Sequence, residues 1–153
     1  MVPHGETDLS RLLATLSPTL QEGEFYFASL RTDLEPRDTD SVSGALADAA
    51  RAAAIGTFRE AEGLSLILPA AHTELPDGTA RSTTQRLISL EVHSSLEAIG
   101  LTAIVSQRLA ELSISCNVVA AFHHDHIFVS ADKADAAVDA LRGIQADAAA
   151  AGR

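Results

Sequence analysis

The residues best suited to chemistry lie in one loop and one short strand of the second half of the chain. The loop, residues 94–100, reads Ser-Ser-Leu-Glu-Ala-Ile-Gly and leads into a predicted helix. Free backbone N–H groups at the start of a helix can hold a carboxylate, and Gly100 lets a ligand approach the backbone closely. The amide of Asn117 can donate to a carboxylate or accept from an ammonium group. Together these groups suit a small ligand that carries both charges.

Each of these residues also has a purely structural interpretation. Ser94 and Ser95 can serve only to shape a turn, and Asn117 can satisfy a neighbouring loop. Glu97 can pair with a cationic group of a ligand, but a charged side chain in a loop is more often simply solvated. The residues alone leave these alternatives open.

A second polar cluster reads His123-His124-Asp125-His126. His124 and His126 are two residues apart on a predicted strand, so their side chains share a face and, with a third ligand, could hold zinc or nickel. Alternation gives one face at most two of these residues, and the tip of a hairpin is commonly polar. We therefore predict no metal and no cofactor, with a metal site on His124 and His126 as the alternative. Histidines here could also make a contact that is sensitive to pH near neutrality.

The chain carries none of the common catalytic signatures. It has no nucleophile elbow, glycine-rich phosphate loop, paired zinc motif or dinucleotide fingerprint. The single cysteine, Cys116, lies in a predicted strand and is typical of a small buried hydrophobe. The sequence therefore predicts a protein that is not an enzyme.

Composition narrows the class further. The 153 residues carry a formal net charge of −10 with no basic stripe, which disfavours binding to nucleic acid or to an anionic membrane surface. One cysteine cannot form an intrachain disulfide, which favours the cytoplasm. The start does not resemble a signal peptide, and no apolar run approaches the roughly 20 residues that span a bilayer. Hydrophobic residues make up 46% with five Phe, one Tyr and no Trp, so the core must be mainly aliphatic.

The hydrophobic pattern alternates between periods of two and 3.6 residues, which is typical of mixed strands and helices. In the second half it predicts strands at 86–92, 114–122 and 126–129 and helices at 101–112 and from 132 onward. In the first half it predicts a short helix before Pro18, a strand at 24–30, a helix from Ser43, a hairpin of 57–61 with 64–68, and a helical turn at 70–75. Neither half has a clear fourth strand of its own. The strand at 86–92 could close the first unit, open the second, or pair with both.

The second half resembles an ACT domain, a small βαββαβ regulatory module. The resemblance rests on the strand that ends at Val92, on Gly100-Leu101-Thr102 at the start of a helix, and on the strand with Asn117-Val118. A more specific resemblance, to small bacterial tandem ACT proteins of unassigned reaction, extends over most of the chain. It is carried by residues 58–64, 92–100, 115–120 and 124–129. Cytosolic arginine sensors with repeated ACT units are more distantly similar.

The resemblance implies an α+β, ferredoxin-like architecture of two βαββα-type units, with the helices on one face of an antiparallel sheet. It implies an N-terminal ACT-like unit at 1–80 and an ACT domain at 81–153. It also implies a non-enzymatic regulatory protein that senses an amino acid, whose partners are that ligand and a second copy of the chain or a regulated protein. The ligand-binding residues expected are Ser94, Ser95, Glu97, Gly100, Leu101, Thr102, Asn117 and Val118. The alternative is a ligand-free interaction module that dimerises through sheet edges or helices.

Overall fold

The computed structural model describes residues 5–31, 42–92 and 95–152. The helices are α1 (Leu9–Ala14), α2 (Val42–Ala53), α3 (Leu101–Glu111) and α4 (Ala134–Ala151), the last preceded by a 3-10 turn at Ala131–Lys133. The strands are β1 (Pro18–Leu20), β2 (Phe25–Arg31), β3 (Gly56–Arg59), β4 (Gly63–Pro69), β5 (Ala80–Arg81), β6 (Gln85–Leu90), β7 (Asn117–Ala120) and β8 (Asp125–Ser130). Within the described residues, no helix is long and apolar enough to cross a membrane.

The chain divides into two compact units that do not follow its order. We call Gly23–Gln85 the continuous unit, and Met1–Glu22 together with Arg86–Arg153 the composite unit. The boundary predicted at residues 80 and 81 separates two units that follow one another in the chain, whereas the compact units group Met1–Glu22 with Arg86–Arg153. The assignment of 1–80 and 81–153 to two separate ACT-like domains therefore stays a prediction.

The sheet of the composite unit has the order β1–β6–β8–β7. Strand β1 runs antiparallel to β6, with Pro18 opposite Leu90 and Leu20 opposite Ile88. β7 and β8 form an antiparallel hairpin in which Val118 faces Ile127. The missing fourth strand of the second half therefore comes from the beginning of the chain, in a segment that we did not predict to be a strand. Proline suits the first position of a strand because it has no N–H to donate.

The core of the composite unit lies between this sheet and three helices. Alternate residues of the strands point into it, Ile88 and Leu90 from β6 and Ile127 and Val129 from β8. Helix residues spaced three or four apart complete it: Leu12 from α1, Leu101, Val105 and Leu109 from α3, and Ala134, Ala137, Val138 and Leu141 from α4. The two helices predicted in the second half are thus confirmed, and with α1, the short helix predicted before Pro18, they cover one face of the sheet.

Helix α1 is short and depends on its cap and its packing. The Asp8 carboxylate accepts from the N–H of Arg11 at 2.9 Å, as an N-cap residue does. Leu12 and Leu16 are fully buried in the core of the composite unit. Because an isolated helix of six residues is unstable in water, this burial is what maintains α1.

The continuous unit has the strand order β3–β4–β2, with β5 also pairing with β2. β2 and β4 are antiparallel over seven residue pairs, and the predicted hairpin of β3 and β4 is confirmed. Its core combines strand residues with the small side chains of α2: Tyr26, Ala28, Leu30, Leu66 and Leu68 with Ala47 and Ala50. Alanines let α2 pack closely against the sheet while keeping a high helix propensity.

The segment after β4 forms a turn that does not continue into a helix. The N–H of His72 donates to the carbonyl of Pro69 at 2.9 Å, and residues 73–76 are irregular. Pro69 and Pro76 bracket too few residues to maintain a helix. The hydroxyl of Tyr26 fastens the segment by donating to the His72 carbonyl at 2.6 Å. Overall, the α+β, antiparallel architecture with helices on one face of the sheet is confirmed.

Candidate functional site

A small cavity lies in the composite unit where the loop after β6 meets the first turn of α3 and the β7–β8 hairpin. Its volume is about 80 Å³, well below the roughly 300–1,000 Å³ of pockets that enclose drug-sized ligands. It is lined by Ser95, Leu96, Ala98, Leu101, Thr102, Ala120 and Asp125. We call it the α3 cavity. It has room for one end of a small ligand.

Gly100 directly precedes Leu101 and Thr102, the α3 residues that line this cavity, but does not line it itself. It is the N-cap residue of α3 with φ of +103°, a conformation that side chains rarely adopt, and it provides no side-chain cap. Its carbonyl accepts from the N–H of Ile104 at 3.1 Å, as the first bond of the helix. The N–H groups of residues 101–103 have no partner inside a helix. N–H groups at this position of a helix can donate to water or to an anionic group.

Ser95 lines the cavity and also organises the loop around itself. Its N–H donates to the Glu6 carbonyl at 3.0 Å, and its own carbonyl accepts from the N–H of Ala98 at 2.9 Å. Its hydroxyl oxygen accepts from the N–H of Glu97 at 3.2 Å. The turn-forming interpretation of this serine therefore has direct support. Ser94 lies outside the described residues.

The other predicted residues of the loop and helix differ in what they can offer. Thr102 is exposed beside the cavity, so its hydroxyl is available. Leu101 is 3% exposed and belongs to the core, so it can contribute its backbone N–H rather than its side chain. Glu97 is exposed in the same loop but does not line the cavity.

Asn117 and Val118 lie away from the cavity. Asn117 opens β7 opposite Phe128, whereas Ala120 closes β7 beside the cavity. Three residues of an extended strand separate the two positions by about 10 Å. Val118 packs against the core of the composite unit. The structure thus brings Ser95, Leu101 and Thr102 together at one place and leaves Asn117 at the far end of the strand.

Four lining residues, Leu96, Ala98, Ala120 and Asp125, were not predicted, and Asp125 is the charged one among them. It opens β8 opposite Ala120, in the same alternation as the core residues Ile127 and Val129, and its carboxylate makes no hydrogen bond or ion pair within the described ranges. Burial raises the pKa of this carboxyl, while the charges of His126 and His124 act in the opposite direction. The signal was present in the sequence, because an acidic residue occupies a position where the alternation calls for an apolar one.

The two histidines beside Asp125 make separate contacts. The Nδ1 atom of His126 lies 3.0 Å from the hydroxyl of the buried Ser89, and Nδ1 of His124 lies 3.4 Å from the Val92 carbonyl. Burial lowers the pKa of His126, and the neighbouring His124 lowers it further. Among the described residues no group of three or more His, Cys, Asp or Glu side chains could hold a metal ion. The metal alternative on His124 and His126 therefore lacks a third ligand in that part of the chain.

Comparisons with known proteins give a consistent family. Sequence profiles described as ACT domains match residues 4–76 and, separately, residues 82–143. A solved protein of unknown function from Vibrio cholerae, described as a possible transport protein, is 39% identical. The alignment covers 91% of this chain and 97% of that one, with a TM-score of 0.70. No curated protein matches the chain.

More distant solved structures share the fold at low identity. The regulatory subunit of aspartate kinase from Thermus thermophilus, in its ligand-free form, is 13% identical over 83% of this chain and 95% of that chain, with a TM-score of 0.61. Aspartokinase III from E. coli, in complex with aspartate and ADP, is 11% identical. The alignment covers 84% of this chain and 33% of that chain, with a TM-score of 0.60. At such identities the likeness shows the fold alone.

Proposed function

The chain belongs to the ACT-domain family, as two tandem ACT domains, and from that premise we propose that it is a non-enzymatic regulatory protein that binds a free amino acid at the α3 cavity. ACT domains are generally regulatory modules that bind small molecules, typically amino acids. The observation that carries the proposal is the meeting of two complementary groups at one small cavity. These are the first N–H groups of α3 and the half-buried carboxylate of Asp125.

The two groups match the two charges that every free amino acid carries. Helix N–H groups and the helix dipole favour a carboxylate at the start of α3, where the Thr102 hydroxyl adds a donor. The Asp125 carboxylate accepts hydrogen bonds from an ammonium group. Because burial disfavours the charged form of Asp125, a bound cation would offset that cost and so be favoured at this position.

The size of the cavity limits which part of the ligand it encloses. With a volume of about 80 Å³, it holds the ammonium and carboxylate end and leaves the ligand side chain outside. Leu96 lines the rim and is 66% exposed, so it offers apolar surface to that side chain. Binding of this kind selects the amino-acid backbone first and the side chain only at the rim.

The test is a thermal-shift screen of the protein against the twenty L-amino acids at millimolar concentration. A ligand present at 100 times its Kd stabilises the native state by about 2.7 kcal/mol and raises Tm by several degrees. We expect Asp125→Asn to abolish the shift. The exposed Asp132 of the turn before α4 provides the matched control, and Asp132→Asn should retain it.

Two outcomes decide against the proposal. If none of the twenty amino acids changes Tm, free amino-acid binding is rejected. If one does and the shift survives Asp125→Asn but disappears with Asn117→Ala, the ligand lies at the other end of β7 and the predicted site replaces the α3 cavity.

A ligand-free interaction module is the second candidate, and the sheet edges favour it. β3 and β7 are edge strands, and no other described strand pairs with their outer edges. Phe58 of β3 is 73% exposed, and Val119 of β7 is 36% exposed. Unpaired strand edges can dimerise. Light scattering across a range of protein concentrations, on the wild type and on Val119→Lys, tests this hypothesis. It requires that the wild type form a dimer and that Val119→Lys dissociate it.

We propose a cytoplasmic location, because the one cysteine, Cys116, is free and partly buried. We propose that the partners are the amino acid and either a second copy of the chain or a regulated protein, with neither nucleic acid nor membrane among them, since the net charge is −10.

A further inference from the structure

We propose that Glu6 and Leu9, which precede the first strand of the chain, are positioning residues for the loop 95–100 at the α3 cavity. Docking of α1 and ligand binding at the cavity would then be linked. The second statement rests on the proposed function, whereas the first concerns the protein without ligand and stands by itself.

The first contact is a hydrogen bond between the two chain segments that form the composite unit. The N–H of Ser95 donates to the carbonyl of Glu6 at 3.0 Å. Ser95 lines the α3 cavity, and its carbonyl and hydroxyl hold the turn through Glu97 and Ala98. The position of the whole turn therefore depends on where Glu6 lies.

The second contact is apolar and reaches the residue that begins α3. A Cβ atom placed on Gly100 would lie 2.9 Å from Cδ2 of Leu9, which is closer than real Cβ atoms approach their neighbours. Leu9 is partly buried and packs against the core of the composite unit. Gly100 thus fits under Leu9 because it has no side chain, and Leu9 covers the N-cap of α3 from the α1 side.

The N-terminal segment that contains Glu6 and Leu9 is itself held by local hydrogen bonds and by the packing of α1. The Glu6 carboxylate accepts from the N–H groups of Thr7 and Asp8 at 2.9 Å each and lies 3.5 Å from the Arg11 guanidinium. These backbone hydrogen bonds lower the pKa of the Glu6 carboxyl. Leu12, fully buried one turn further on, anchors α1 in the core. The carbonyl of Glu6 is therefore placed by the docking of α1.

Linkage follows from these contacts. If docked α1 holds the loop in the conformation that binds ligand, then a ligand that favours this conformation also favours docked α1, by the same factor. A helix of six residues folds only when docked. Its docking is thus an equilibrium that a ligand at the loop can shift.

The experiment measures backbone hydrogen exchange in the full chain without ligand, comparing Leu9→Ala with Ser10→Ala. Both residues lie at the start of α1, but Ser10 is exposed, whereas Leu9 packs against the core and supplies the three atoms nearest to a Cβ placed on Gly100. We expect Leu9→Ala to speed exchange of the Ser95 and Ala98 amides by about fivefold to tenfold, the size of one lost hydrogen bond. Ser10→Ala leaves the docked face of α1 unchanged and should leave these two amides within about twofold of wild type.

Equal acceleration in both variants, or none in Leu9→Ala, overturns the positioning role. Leu9→Val serves as the milder replacement if Leu9→Ala does not fold, with the same two outcomes.

A second experiment takes whichever L-amino acid gives the largest thermal shift and compares its Kd in the two variants. A Kd weakened about fivefold or more by Leu9→Ala alone supports linkage, and equal Kd values overturn it. If no amino acid binds, the proposed function fails while the exchange result still decides the positioning role.

Discussion

The composite unit and the continuous unit follow one ACT plan but complete it with different pieces of chain. The composite unit takes its fourth strand, β1, and an additional helix, α1, from the N-terminus, and three helices cover its sheet. In the continuous unit the described residues place one helix, α2, on the sheet, and a two-residue strand, β5, beside β2. Where a second helix would follow β4, the chain makes a turn held by Tyr26.

The difference shows how the front of the chain serves the second repeat. Leucines of α1 join the same core as the start of α3, so a segment that belongs to the first ACT profile stabilises the unit that carries the α3 cavity. The loop that would correspond in the continuous unit, after β2, lies outside the described residues. The comparison therefore assigns the N-terminal segment to the composite unit both structurally and, by our proposal, functionally.

The strongest test of this comparison removes a buried side chain from α1. Leu12→Ala should destabilise the protein by about 2–5 kcal/mol, because it leaves a cavity in a packed core, and Leu12 is fully buried. Urea unfolding measures the change. Ser10→Ala, on the exposed side of the same helix, is the control. A loss of unfolding free energy below about 1 kcal/mol would show that α1 contributes little to the stability of the protein.

A smaller effect is expected in the continuous unit at Tyr26. Tyr26→Phe keeps the buried ring but removes the 2.6 Å hydrogen bond to the His72 carbonyl. Stability should fall by about 1 kcal/mol. Amides of residues 70–75 should exchange faster, while those of the composite unit should not change. Unchanged exchange in 70–75 would mean that the turn is held by its own local bonds.

At Asp125 the expected effect on stability is small and opposite in sign to the effect on binding. Its folded pKa is raised, so the contribution it makes to stability is present at low pH and is lost as pH rises through that pKa. At neutral pH the buried charge is therefore unfavourable. Asp125→Asn should unfold at the same temperature or higher without ligand, measured by thermal melts at pH 7. A lower Tm would indicate a structural partner for the carboxylate.

The smallest effect concerns acid sensitivity in the composite unit. The folded pKa of His126 is depressed, so its contribution to stability is present above about pH 6.5 and is lost as pH falls through the folded value. His126→Gln should therefore lose less stability than wild type between about pH 6.5 and pH 5. His123→Gln, at an exposed position of the hairpin tip, is the control. Identical pH profiles for wild type and His126→Gln would contradict this assignment.

Local patterns predicted most of the fold. The alternating runs and the leucine spacings identified β2, the β3–β4 hairpin, α3 and α4 near their observed bounds. β7 is shorter than its pattern, because Ser113 turns with φ of +55° and sends the buried Ile114 into the core before the strand begins. Strand β1 was missed because three residues after a helix carry too little periodicity to detect.

The candidate site was predicted only in part. Ser95, Leu101 and Thr102 follow one another along the chain, so a loop and helix start could be recognised from sequence and meet at the cavity. We predicted that Asn117 contacts the ligand from the strand next to this loop, but the register of β7 and β8 places Ala120 and Asp125 beside the α3 cavity. Shifting along a strand by three residues moves a side chain by about 10 Å, which is farther than a hydrogen bond reaches.

The sequence by itself determined most of the elements, the tandem ACT plan and the loop that begins α3, because these depend on residues that are neighbours in the chain. Only the tertiary structure decided that β1 completes the sheet of the second repeat, that Glu6 and Leu9 contact the loop 95–100, and that Asp125 lines the cavity. These contacts join residues far apart in sequence. Strand pairing and core packing select them, and no local pattern records that choice.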